Sequence, residues 1–139
     1  MKNTTTYDVV LLTDPRYVNP IEKDGYIQNV LMEDKLVADA LENQGLSVVR
    51  KAWDDPEFDW ANVKYAVFRA TWDYFDRYQE FFEWFEVTSK KTTFINSENL
   101  IRWNIDKHYL QDLKAKQVHI PKTMFVEAGD ALILKEALV

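Results

Sequence analysis

The run from Tyr7 to Leu12 is short, almost wholly apolar and rich in Val and Leu, and Thr13-Asp14-Pro15 closes it at once. A strand with one wet face alternates polar and apolar residues, whereas an unbroken apolar run suits a parallel strand covered on both faces. A chain that begins this way is committed to layers, and the pattern downstream agrees. After a polar stretch to about Gly25, Ile27, Val30, Leu31, Val37, Ala38 and Leu41 recur at helical spacing, and Gly45 follows as a stop. Leu46 to Ala52 reads as a second strand, Asp54-Asp55-Pro56 as a turn and Tyr65 to Ala70 as a third strand. Tyr78, Phe81, Phe82 and Phe85 mark one face of a second helix, with Asp76 and Gln79 in capping-box spacing at its start. Thr93 to Asn96 reads as a short fourth strand. Asn104 is the expected N-cap of a helix whose inner face carries Ile105, Tyr109, Leu110 and Leu113. Beyond Pro121, Thr123 to Glu127 reads as a further strand, and Ala131 to Val139 is too short to choose between helix and strand.

Strands alternating with amphipathic helices predict an α/β fold. The expected form is a three-layer αβα, Rossmann-like arrangement around an open, mostly parallel sheet of about four or five strands. Ligands of such folds collect outside the carboxyl ends of the strands, where the strand order reverses. If the order begins 2-1-3, the loops after the first and third strands face each other. Asp14, Arg16 and Tyr17 then stand on one side, and Arg69, Thr71, Trp72 and Asp73 on the other.

Composition removes several functions. The formal charge of −6 leaves no basic stripe, so nucleic acid is not an expected partner. The chain has no cysteine, hence no disulfide, thiolate nucleophile or Cys-ligated zinc, which suits a reducing compartment. Its polar first residues and lack of any long apolar run argue against a leader or a membrane span, so a cytoplasmic location is expected. Only Gly25, Gly45 and Gly129 are present, which excludes a P-loop or dinucleotide fingerprint. His108 and His119 lack the spacing and company of metal ligands, so no metal is expected.

Two phrases concentrate chemistry, Arg69-Ala70-Thr71-Trp72-Asp73-Tyr74 and Arg102-Trp103-Asn104-Ile105-Asp106-Lys107-His108-Tyr109-Leu110. An arginine ending a buried strand needs an anion. Its planar fork suits a ligand carboxylate or phosphate, or else an internal salt bridge to Asp73 or Asp14. Trp72 reads as a core, interface or ligand-stacking ring. Lys107 falls in the first turn of its expected helix, either solvated or held ready for an anion.

Together with Asn96 and Pro121-Lys122-Thr123, these phrases resemble the N-terminal region of ATP-grasp ligases, in the glutathione-synthetase-like group that includes cycloserine-forming ligases. The likeness runs from about Tyr7 to Val126. It implies a pre-ATP-grasp domain over residues 1–126, with 127–139 opening the connection to an ATP-grasp domain. The implied function is the substrate-side domain of an ATP-dependent carboxylate–amine ligase. Asp14, Arg16, Arg69, Thr71, Trp72 and Asp73 would lie near a small amino-acid-like carboxylate, and Lys107 would contact ATP phosphates. ATP and Mg would serve the full-length enzyme, with neither expected on this chain. The family's glycine-containing loop, second ATP lysine and acidic magnesium ligands are not among these 139 residues, so the domain is expected to be inert alone. The competing expectation is a stand-alone binding or dimerisation module of the same fold, with aromatic surface favouring a homodimer. A receiver-like signalling domain, which Asp14 and Asp73 imitate, would need a cluster of acids after the first strand.

Overall fold

The computed structural model describes residues 6–22, 24–127 and 129–131. The chain divides into two compact units, Met1–Glu98 and Asn99–Val139. The first unit holds β1 (Tyr7–Thr13), α1 (Gly25–Glu42), β2 (Val48–Ala52), β3 (Val63–Ala70), α2 (Tyr78–Thr88) and β4 (Thr93–Ile95). All strand pairings are parallel and the order is β2-β1-β3-β4. The order therefore begins 2-1-3, and the α/β class read from the apolar runs is the one observed.

β1 is central, which explains its unbroken apolar sequence: Val10, Leu11 and Leu12 have no exposed surface at all. α1 starts where the Asp24 side chain accepts a hydrogen bond from the Ile27 amide at 2.8 Å. It ends as Gly45 predicts. Gly45, at φ +82°, turns the chain so that its amide reaches Glu42 O and the Leu46 amide reaches Leu41 O. These two bonds form a Schellman closure, which glycine permits without Cβ strain.

α2 corrects the expected face. Phe81 and Phe85 are buried, but Tyr78 is 44% exposed and stacks on Phe82 at 6.0 Å along the outer side. Trp84 takes the inner position, packing edge-on against Trp53 and Trp60. Asp76 does not cap this helix. Arg77 occupies the N-cap position without a side-chain capping bond, and its guanidinium instead binds Glu80 in the first turn.

The second unit holds most of α3 (Glu98–Asn104) and α4 (Tyr109–Ala115). Asn104 closes α3 rather than opening a helix, and neither α3 nor α4 contains a buried residue. The expected strand Thr123–Glu127 is irregular backbone. Of Ala131–Val139, all but the first residue lies outside the described residues.

Candidate functional site

The strand reversal between β1 and β3 brings together the two loops singled out in the sequence. The Asp14 amide donates to Ala70 O at 2.8 Å, and the Tyr17 and Trp72 rings meet edge to face at 5.6 Å. Tyr26, from the first turn of α1, lies against the same indole at 6.1 Å. Tyr17, Tyr26 and Trp72 thus form one ring cluster, with Trp72 42% exposed.

Asp14 is fully buried. It caps a short 3-10 turn over Pro15–Tyr17 by accepting from the Arg16 amide, and its carboxylate receives Arg16 Nε at 3.0 Å. That pairing raises the proton affinity of Arg16, whose side chain remains 64% exposed. Desolvation pushes the Tyr17 phenol upward. Thr71 is buried at the loop's entry. Asp73 is turned inward, accepting from the Trp53 indole and Arg77 at 2.9 Å each. Its role here is to fix the loop that presents Trp72.

Arg69 is ion-paired within the protein, but with neither expected partner. Its Nε donates at 3.0 Å to Asp34 on α1, and Asp34 is only 2% exposed. The second oxygen of Asp34 receives Arg50 Nε at 2.6 Å. Arg50 continues to Thr13 Oγ1 at 3.1 Å and to the Tyr17 carbonyl, so one buried acid ties β2, β3 and the Tyr17 turn together. Sequence reading missed Asp34 and Arg50. Arg50 carried the available signal, since a charge that follows Val48-Val49 inside a strand and is partly buried needs a counter-charge.

The β1–β3 register slips at this point. Leu12 pairs with Phe68 and Thr13 with Ala70, so Arg69 is the extra residue. Such bulges re-aim a side chain beside functional sites.

Lys107 belongs to the second unit. It lies in the turn before α4, not in the first turn of a helix, and its ammonium sits 5.6 Å over the Tyr109 ring. Among the described residues, no group of three or more His, Cys, Asp or Glu side chains could hold a metal ion. One exposed lysine and no carboxylate cluster do not make an ATP–magnesium site, and no chemical step is assigned through either group. No helix of the described residues is long and apolar enough to cross a membrane.

Comparison with known proteins decides the family. The model described as "D-cycloserine synthetase DcsG, N-terminal domain" matches residues 9–96, more than half of the chain. The chain belongs to this DcsG N-terminal domain family. The resemblance to cycloserine-forming ligases, drawn from the two tryptophan phrases, is thereby borne out. The "Cycloserine biosynthesis protein DcsG" of Streptomyces lavendulae is 40% identical over 81 residues, covering 58% of this chain and 27% of that protein. The crystal structure of D-cycloserine synthetase DcsG superposes with a TM-score of 0.68 at 28% identity, covering 81% of this chain and 34% of that one. The chain therefore spans about a third or less of these relatives. The DcsG N-terminal span contains Asp14 through Asp73 and ends before Lys107.

The second unit supplies a pH-sensitive clasp. His108 Nδ1 lies 2.5 Å from Asp106 and Nε2 lies 2.9 Å from Glu127, while the ring stacks on Phe125 at 4.6 Å. Two carboxylates on two ring nitrogens favour the imidazolium, so His108 is raised above its ordinary 6.5, chiefly by Asp106 and then by Glu127. A raised folded-state value means the stabilisation is complete below the unfolded-state value and disappears as pH climbs through the folded one. NMR titration should therefore show His108 titrating above 6.5, with amide exchange near Phe125 and Glu127 quickening over the same interval. Titration at or below the ordinary value would sink the clasp.

Proposed function

We propose that this chain is the substrate-side domain of an ATP-dependent carboxylate–amine ligase of the cycloserine-forming kind. Its cleft would receive a small amino-acid-like carboxylate. The observation that carries this reading is the match over residues 9–96 to the DcsG N-terminal domain, which contains the Tyr17, Tyr26 and Trp72 cluster. Within it, Arg16, Arg69 and Trp72 face the ligand, while Asp14, Thr71 and Asp73 hold the two loops in place. In this reading an ATP-grasp region provides ATP and magnesium, and Lys107 contributes a cation toward the phosphates. In this reading the 139 residues are inert by themselves, because the ATP-grasp region carries the phosphate and magnesium chemistry. The lack of cysteine is compatible with work in a reducing cytoplasm.

Two preparations test the proposal. The chain alone, given Mg-ATP and a panel of amino acids, should release no ADP above background. A chimera carrying this chain in place of the corresponding N-terminal segment of the Streptomyces lavendulae relative should release ADP that depends on an amino-acid-like substrate. ADP from the chain alone would overturn its inertness. A folded but silent chimera, beside an active parent, would overturn the substrate-side assignment.

A further inference from the structure

We propose that Arg69 is the carboxylate anchor of this cleft, aimed by Asp34 and guarded in the ligand-free protein by Glu33, which an incoming carboxylate displaces. The inference rests on the substrate-side reading but adds two residues that the sequence motifs do not contain.

The hydrogen-bond inventory of the two arginines points to a division of labour. Arg50 is engaged through all three nitrogens, with Asp34, Thr13 and the carbonyls of Tyr17 and Val18. Arg69 uses only Nε, which donates to Asp34. Its Nη1 and Nη2 make no hydrogen bond among the described residues, although the side chain is only 29% exposed. Glu33 stands 4.0 Å from Nη2, too far to accept a hydrogen bond, and is itself 71% exposed. A guanidinium thus presents an unfilled two-donor edge, with a loosely held acid beside it.

Three features make this a receptor rather than an idle salt bridge. Asp34 carries one charge while touching two arginines, so among the described residues the second positive charge is met only by exposed Glu33, 4.0 Å away. The bulge at Arg69 breaks the strand register where the side chain meets Asp34 on α1. Tyr26 and Glu33 are seven residues apart, close to two turns, so they share a stripe of α1, which meets Trp72 at Tyr26 and Arg69 at Glu33. A planar two-donor edge matches a carboxylate bidentately. Asp34 is a positioning residue: it touches Arg69, and through Arg69 sets where the ligand's carboxylate rests.

The test is NMR titration of the 139-residue chain with acetate, D-serine and inorganic phosphate, following the Trp72 indole N–H resonance, which every variant keeps. Acetate and D-serine should shift it in the wild type. Glu33→Gln should tighten binding about threefold by removing the competing charge, since exposed pairs contribute little but do compete. Arg69→Lys, which keeps the charge but loses the fork, should weaken both carboxylates by about tenfold or more. Asp34→Asn should also weaken binding, even though deleting a negative charge would strengthen it if electrostatics alone operated. Unchanged affinity in Arg69→Lys, weaker binding in Glu33→Gln or tighter binding in Asp34→Asn would each overturn the anchor. So would phosphate binding at least as tightly as acetate, or no response to either carboxylate. The ADP measurements on the chimera do not use this readout, so the anchor can fail while the ligase reading stands.

Discussion

Replacing Trp53 with alanine should destabilise the first unit by about 3–5 kcal/mol, the range for removing a large buried aromatic side chain. Trp53 follows the last residue of β2, has no exposed surface, and continues the ladder through its amide bond to Thr13 O at 3.0 Å. Its indole packs edge-on against Phe81 at 5.2 Å and Trp84 at 5.5 Å, so truncation opens a cavity beside these two rings of α2. A second loss is polar. The indole N–H is one of the two donors to Asp73, and Arg77 rests 4.6 Å over the same ring while holding the other oxygen. Trp53→Phe separates the two effects, keeping most of the apolar volume while leaving Asp73 a donor short, for about 1–3 kcal/mol. Urea denaturation of both variants checks the order, with alanine clearly worse than phenylalanine. Equal costs would mean that the hydrogen bond, not the packing, dominates. Because Asp73 fixes the loop bearing Trp72, even the phenylalanine variant should alter the exchange rates of residues 71–75.

The layered fold was legible because its signals are local and agree with one another. An unbroken apolar strand, a helical apolar stripe and Gly45 in a left-handed turn each report one element without tertiary help. The phase of α2 was not legible for the opposite reason. Phe81, Phe82, Trp84 and Phe85 place rings on almost every side, and the choice among them belongs to Phe68, Phe94 and Trp60, which come from other elements. At Asn104 one helix ends instead of another beginning, and α4 starts after His108 with no side-chain cap. The Asp106 carboxylate accepts from the His108 amide at 2.8 Å, forming the turn that precedes α4, while Asn104 completes the helix before it. The Thr123–Glu127 stretch has strand-like residues but joins no sheet, and its last residue instead binds His108 and Asp130.

The cleft divides along the same line. Arg69 and Trp72 stood out because they crowd one phrase, and topology alone set them opposite Asp14 and Arg16. Asp34 could not stand out, since an acid on an amphipathic helix ordinarily reads as its wet face. Its burial is dictated by residues 16 and 35 positions later, a relation no short window contains.

That relation makes Asp34 the position whose loss should be felt at once in stability and in site geometry. Asp34→Ala should cost about 3 kcal/mol, the lower end of the range for breaking a buried ion pair, because Arg50 and Arg69 each keep some access to water. The two side chains are 20% and 29% exposed, against 2% for the acid they share. The cost comes less from attraction forgone than from two like charges left facing each other across β1 with one anion removed. A double-mutant cycle with Arg50→Met tests this directly. If the penalty is uncompensated charge, removing Arg50 in the Asp34→Ala background should recover part of the loss. The coupling should then reach about 1 kcal/mol or more, as expected within one ion-pair network. Strict additivity would refute the shared-acid account and reduce Asp34 to an ordinary packing position. The recovered double variant should still bind carboxylates poorly, because Arg69 would be restored in environment but not in aim.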